Sequence, residues 1–111
     1  MITVGEYTEL CGLRLSFAEN GREIGRTFLY TLRNELHSQP FGYLEDVFVE
    51  DQHRGRGIGT ELVRAAIALA AARGCYKLVA TSRFSRVAVH SWYEKEFGLA
   101  LHGYEFRLDI P

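Results

Sequence analysis

The chain is poor in the residues that build crosslinked, fibrous or disordered proteins, with only two Cys, two Pro and one Met among 111 residues. Cys11 and Cys75 lie far apart, in neither a C-x-x-C nor a metal spacing. That excludes a disulfide framework and reads as two reduced thiols in a cytoplasmic protein. No sign of charge dominates: 13 Lys and Arg stand against 14 Asp and Glu, for a net charge of -1, and like charges form no block. An electrostatic footprint for nucleic acid or a membrane surface is therefore not expected. Long apolar runs are missing too. The longest aliphatic stretch, Ala65 to Ala72, is flanked by Arg64 and Arg73, and Met1 to Phe17 lacks a basic start followed by an apolar core. Neither a membrane span nor a secretory leader is expected. His37, His53, His90 and His102 are scattered and form no H-E-x-x-H or H-x-x-E-H pairing, so no metal site is expected.

What is present is 47% hydrophobic and carries 11 Gly, the profile of one compact domain over residues 1–111. So short a chain has little material for a lid or second lobe, and a deep substrate pocket is expected to draw on a second subunit in a homodimer. Leu13 to Phe17 alternates apolar and polar residues, Asn20-Gly21 marks a tight turn, and Ile24 to Leu32 returns as a second strand. Residues 11–33 thus read as a hairpin with a type I′ turn. Gly42 to Val49 reads as a third strand. Ile58, Leu62, Ala66 and Leu69 recur at helical spacing ahead of Gly74, which predicts a helix over 58–73. Tyr76 to Thr81 reads as a short strand, Ser85 as the cap of a helix running to Glu96, and Leu99 to Ile110 as a closing strand. The order is a mixed sheet flanked by helices.

The segment Arg54-Gly55-Arg56-Gly57-Ile58-Gly59-Thr60 falls between a strand and a helix. Alternating glycines let the backbone turn tightly and bring successive N–H groups toward an anion. The first amides of the helix and the positive end of its dipole face the same anion. Arg54 and Arg56 add charge for phosphate groups, and the Thr60 hydroxyl can add a donor. The spacing G-x-G-x-G matches neither G-x-x-x-x-G-K-[ST] nor G-x-G-x-x-G. Leu78 to Ser82 contains no acid, where a dinucleotide fold places one about 20 residues on. On spacing alone, the segment is either an anion-binding turn or punctuation between a strand and a helix.

Arg54-x-x-Gly57-x-Gly59, directly behind Val47-Phe48-Val49, resembles the Q/R-x-x-G-x-G/A acetyl-CoA motif of the GNAT N-acetyltransferase superfamily. Downstream, Arg86, His90, Trp92 and Tyr93 resemble the family's second signature, an aromatic-Tyr pair on the helix after the next strand. The resemblance covers residues 11–110. It implies an α/β (α+β) fold, a mixed and mostly antiparallel sheet flanked by helices, GNAT-like but lacking the first two helices, because nothing between Met1 and Ile24 is long or periodic enough to supply them. It implies acetyl-CoA as cosubstrate and no metal. The pyrophosphate would rest on the backbone of Gly55, Arg56, Gly57, Ile58, Gly59 and Thr60 beside Arg54, and the pantetheine arm would pair with Val47, Phe48 and Val49. The activity implied is acetyl transfer to a primary amine of a small molecule or peptide.

Such an amine, with a pKa of about 10, is mostly protonated at neutral pH and needs a base before it can attack. In a regular strand Glu45 and Asp46 point to opposite faces, so only one of them meets the cleft. Glu45 resembles the carboxylate of polyamine-type members and is read as the base, directly or through a water, with Asp46 second. A solvated strand carboxylate is the competing reading for both. Tyr93 occupies the position of the family's general-acid Tyr, where a phenol of pKa about 10 can protonate a thiolate whose conjugate acid sits at about 8.5. Val89, Trp92, Tyr93 and Phe97 would equally make an ordinary buried stripe. A backbone N–H near Val47 to Val49 would face the developing oxyanion. The missing acceptor helices motivate one alternative, a non-catalytic acyl-CoA-binding module.

Overall fold

The computed structural model describes all of residues 1–111, and the chain divides into two compact units, Met1–Ala80 and Thr81–Pro111. In the first unit, β1 (Leu10–Glu19) and β2 (Arg22–Leu32) form the expected antiparallel hairpin. Asn20 and Gly21 both take left-handed backbone, with φ of 52° and 75°. That is the type I′ geometry whose twist matches the flanking strands. β3 (Phe41–Val49) pairs antiparallel to β2, and the short β4 (Leu78–Ala80) adds in parallel to β3, giving the order β1-β2-β3-β4. The strand expected over 76–81 is thus confined to its central residues.

Between β3 and β4 runs the crossover helix α1 (Ile58–Ala72), which packs on β2 and β3 and reaches β1. Its apolar stripe of Ile58, Leu62, Val63, Ala66 and Ala70 is buried against Ile24, Leu29 and Leu44 of the sheet. Each large side chain removed from water here contributes about 1.5–3 kcal/mol. Two glycines keep the interface between helix and sheet close. A Cβ at Gly25 would stand 3.0 Å from Ile58 Cγ2 of the helix and 3.3 Å from the Phe48 carbonyl, and one at Gly42 would crowd its strand neighbours, 3.0 Å from Leu78 Cδ1 and 3.2 Å from Leu29 Cδ1. The helix stops where Gly74 turns left-handed, as its Gly74 and Cys75 N–H groups close onto Ala71 and Ala70, each at 3.0 Å.

Strict alternation along β3 does not survive. Arg26 faces Phe48 but Phe28 faces Glu45, so Asp46 and Val47 stand together opposite Thr27, and Asp46 takes a left-handed φ of 55°. This is a β-bulge. The extra residue resets the two-residue phase, and Glu45 and Asp46 are both exposed rather than divided between a buried and an open face. Thr27, which is fully buried, donates from Oγ1 to the Glu45 carbonyl at 3.1 Å. Its hydroxyl serves a carbonyl at the point where the ladder is disrupted.

The second unit holds α2 (Val87–Phe97). The expected Ser85 cap does not form: Ser85 lies in the preceding turn, and Arg86 occupies the N-cap position with no side-chain hydrogen bond to the helix. At the far end Gly98 turns left-handed with φ of 74° and ends the helix. The closing strand expected over 99–110 is also absent. These residues make neither helix nor strand, and Tyr104, Phe106, Leu108 and Ile110 are exposed. Alternation gives a strand its two faces, but a ladder also needs a neighbouring edge to bond to.

Candidate active site

The expected cofactor residues converge where β3 leaves the sheet. β4 pairs only with Gly42, Tyr43 and Leu44 of β3. From Glu45 to Val49, β3 is therefore flanked by β2 on one side and by no strand of the sheet on the other. The Glu50 N–H donates to Ile24 at 2.9 Å on the β2 side, so the Val49 carbonyl, which opposes it across the same trans peptide, points to the open edge. There the Arg54 Nε donates to it at 3.0 Å. Arg54 is further held by an ion pair with Asp51 at 2.8 Å and lies 5.9 Å from the centre of the Phe48 ring.

The loop that follows is shaped by backbone conformation. After a single 3-10 turn at Asp51–His53, Gly55 and Gly57 both adopt φ of 80°. A Cβ on either would meet nothing within 4 Å, so the requirement for glycine comes from the left-handed torsion and not from crowding. Gly57 is the N-cap of α1 and has no side chain to occupy the first amides. The intrahelical ladder opens with the Glu61 N–H donating to Gly57 at 3.0 Å. The earlier amides point out of the helix N-terminus, where its dipole is positive. Ile58 itself is buried in the core, so only its main chain can serve a ligand.

Arg56 is already engaged. Its guanidinium makes a bidentate pair with Glu19, with Nη1 at 3.3 Å from Oε1 and Nη2 closer still to Oε2, and Nη1 also donates to His53 Nδ1 at 2.9 Å. The hydrogen bond from Arg56 holds the Glu19 carboxyl below the usual range, and Glu19 in turn raises the guanidinium's pKa. Beside this pair, Arg22 bonds Glu50 at 2.5 Å. The two loop arginines read from the sequence as phosphate ligands are thus each matched by an acid of the protein.

Glu45 and Asp46 sit at the bulge, exposed, at the start of the open edge. Tyr93 lies on α2 in the second unit, half-buried beside Trp92, whose ring centre is 5.4 Å away. Burial pushes its phenol up against the opposing pull of Arg86, so the hydroxyl stays protonated at neutral pH. His90 serves the fold of its own unit, with Nε2 2.9 Å from the Arg83 carbonyl in the turn that leads into α2. Glu19 and Thr27 drew no attention in the sequence. The predicted hairpin does place Glu19 at the loop end of the sheet, which is the one signal that could have found it.

Residues 6–99 match the acetyltransferase (GNAT) family. The chain belongs to that family. This GNAT chain is 33% identical over 69 residues to a glucosamine 6-phosphate N-acetyltransferase of Trypanosoma brucei brucei, covering 62% of the chain and 44% of the relative. It is 40% identical over 57 residues to a thialysine N-epsilon-acetyltransferase of Mus musculus, covering 51% of the chain and 29% of the relative. It therefore spans less than half the length of these curated relatives. Among solved structures, a putative acetyltransferase from Agrobacterium tumefaciens str. C58 superposes with a TM-score of 0.79 at 29% identity, over 86% of this chain and 66% of that one. No helix is long and apolar enough to cross a membrane.

Proposed function

We propose that this GNAT chain binds acetyl-CoA and transfers its acetyl group to a primary amine. One observation carries the reading: the open edge of β3 from Glu45 to Val49 runs directly into a glycine turn aimed by the N-terminus of α1. An extended amide-bearing arm fits the first, and a pyrophosphate the second. In this reading, backbone groups of Val47 to Val49 hold the pantetheine arm and the amides of Gly55 to Thr60 hold the phosphates. Glu45, or Asp46 beside it, accepts the proton that the attacking amine must lose, and Tyr93 returns a proton to the departing thiolate. The acceptor is a small amine of the kind named for the relatives, glucosamine 6-phosphate or thialysine, and a homodimer, placed in the cytoplasm, completes the pocket that receives it.

Calorimetric titration with acetyl-CoA, followed by a thiol-release assay across a panel of primary amines, tests each half. Binding together with amine-dependent CoA release, lost in Glu45→Gln and Tyr93→Phe at preserved cofactor affinity, is the expected result. Binding with no turnover on any amine would favour a non-catalytic acyl-CoA module. No binding at all would overturn the reading.

A further inference from the structure

An anion cradle made of backbone amides gains most from a cation that can reach it. Arg54 already serves the main chain, its Nε donating to the Val49 carbonyl, and its Nη1 is paired to an acid of the loop itself, Asp51. Arg56 is held differently. Its partner, Glu19, is the last residue of β1, brought beside the loop by the Asn20-Gly21 turn rather than by the loop's own sequence. Both side chains remain substantially in solvent, at 45% and 37% exposure. An exposed pair of this kind opens at little cost. A guanidinium fork fits a carboxylate and a phosphate by the same geometry, and the phosphate also meets the helix amides.

We propose that Glu19 competes with the cofactor phosphate for Arg56: it occupies the guanidinium in the free protein and surrenders it when phosphate oxygens enter, so the charge on Glu19 sets the affinity of the loop. This rests on the acetyl-CoA reading above and goes beyond it by assigning a role to a residue outside the loop. The neighbouring Arg22–Glu50 pair supplies the control, since it places a carboxylate in the same region without engaging Arg56.

The test is a double-mutant cycle on the full chain, titrated with acetyl-CoA. Glu19→Gln should tighten binding about threefold, the size expected on releasing an exposed ion pair. Glu19→Asp, which keeps the charge, should stay near wild type, and Glu50→Gln should shift binding less than Glu19→Gln. In an Arg56→Gln background the effect of Glu19→Gln should vanish to within about twofold. Where turnover is measurable, the same substitution should lower KM and leave kcat unchanged. Weaker or unchanged binding in Glu19→Gln would overturn the proposal, as would an equal gain with and without Arg56, which would make it a general field effect. Failure of the wild-type chain to bind acetyl-CoA would overturn both readings. A flat cycle on a binding-competent chain would overturn only the role of Glu19.

Discussion

Replacing Thr27 by Val asks whether one hydroxyl holds the bulge in β3. The side chain is fully buried, and its Oγ1 donates to the Glu45 carbonyl at 3.1 Å. Valine keeps the β-branched shape and withdraws the donor. Losing such a hydrogen bond costs about 0.5–1.5 kcal/mol, rising to about 1–3 kcal/mol if the carbonyl is left unsatisfied. The extra buried methyl offsets up to about 0.8 kcal/mol. A net loss of about 1 kcal/mol follows, which lowers Tm by about 4–8 °C in a chain of this size. Urea and thermal melts followed by circular dichroism measure it. Thr27→Ser is the companion variant, because it keeps the hydroxyl and loses a methyl, at about 1 kcal/mol. If the bulge sets the course of β3 along its open edge, Val should weaken acetyl-CoA binding and Ser should not. An unchanged or raised midpoint for the Val variant would refute the structural claim. Equal affinities in the two variants would break the link from bulge to binding.

Asp46 tests the same bulge from the other strand. With φ of 55°, Asp46→Gly should hold or raise the urea midpoint, while Asp46→Val should lower stability by about 1–2 kcal/mol, because a β-branched residue resists the left-handed torsion that a short polar side chain such as Asp tolerates. Glu23 provides a pH signature. Hydrogen bonds from Arg14 and Ser16 lower its carboxyl from 4.5 to about 2. A depressed carboxylate stabilises the fold fully above its unfolded value, and that contribution is lost as pH falls from 4.5 toward about 2. Urea midpoints of wild type should therefore fall across that window, and those of Glu23→Gln should fall less. Parallel curves for the two proteins would count against the Glu23 network.

The hairpin and the crossover helix were legible because local chemistry decides them. Asn20-Gly21 prefers the one turn that joins right-twisted strands, and Ile58, Leu62, Ala66 and Leu69 recur at helical spacing ahead of Gly74. The glycine loop was legible for a similar reason, since Gly55 and Gly57 carry the positive torsions it needs. The bulge was not. Leu44-Glu45-Asp46-Val47-Phe48 reads equally well as a regular strand, and only the register against Arg26 and Phe28 reveals the extra residue. Residues 99–110 erred in the opposite sense, because their alternation specifies faces and cannot supply an edge to pair with. The charge on Arg56 was plain, but its capture by Glu19 depends on the hairpin tip meeting the loop. That approach lies between residues far apart in the chain, where no local pattern reports it.

The shortness of the β3–β4 ladder, three residue pairs, bears on the order in which the unit assembles. The three antiparallel strands follow one another through brief connections and can condense early. The parallel pairing must wait for α1 to span the sheet, closing a longer loop for few bonds. β4 is then the last strand to join and the first to fray. Amide exchange should run faster at Val79 than at Leu29, whose side chain is fully buried in the central strand β2. The glycine turn follows the end of β3 that β4 does not reach, so the β4 edge can breathe without unseating it.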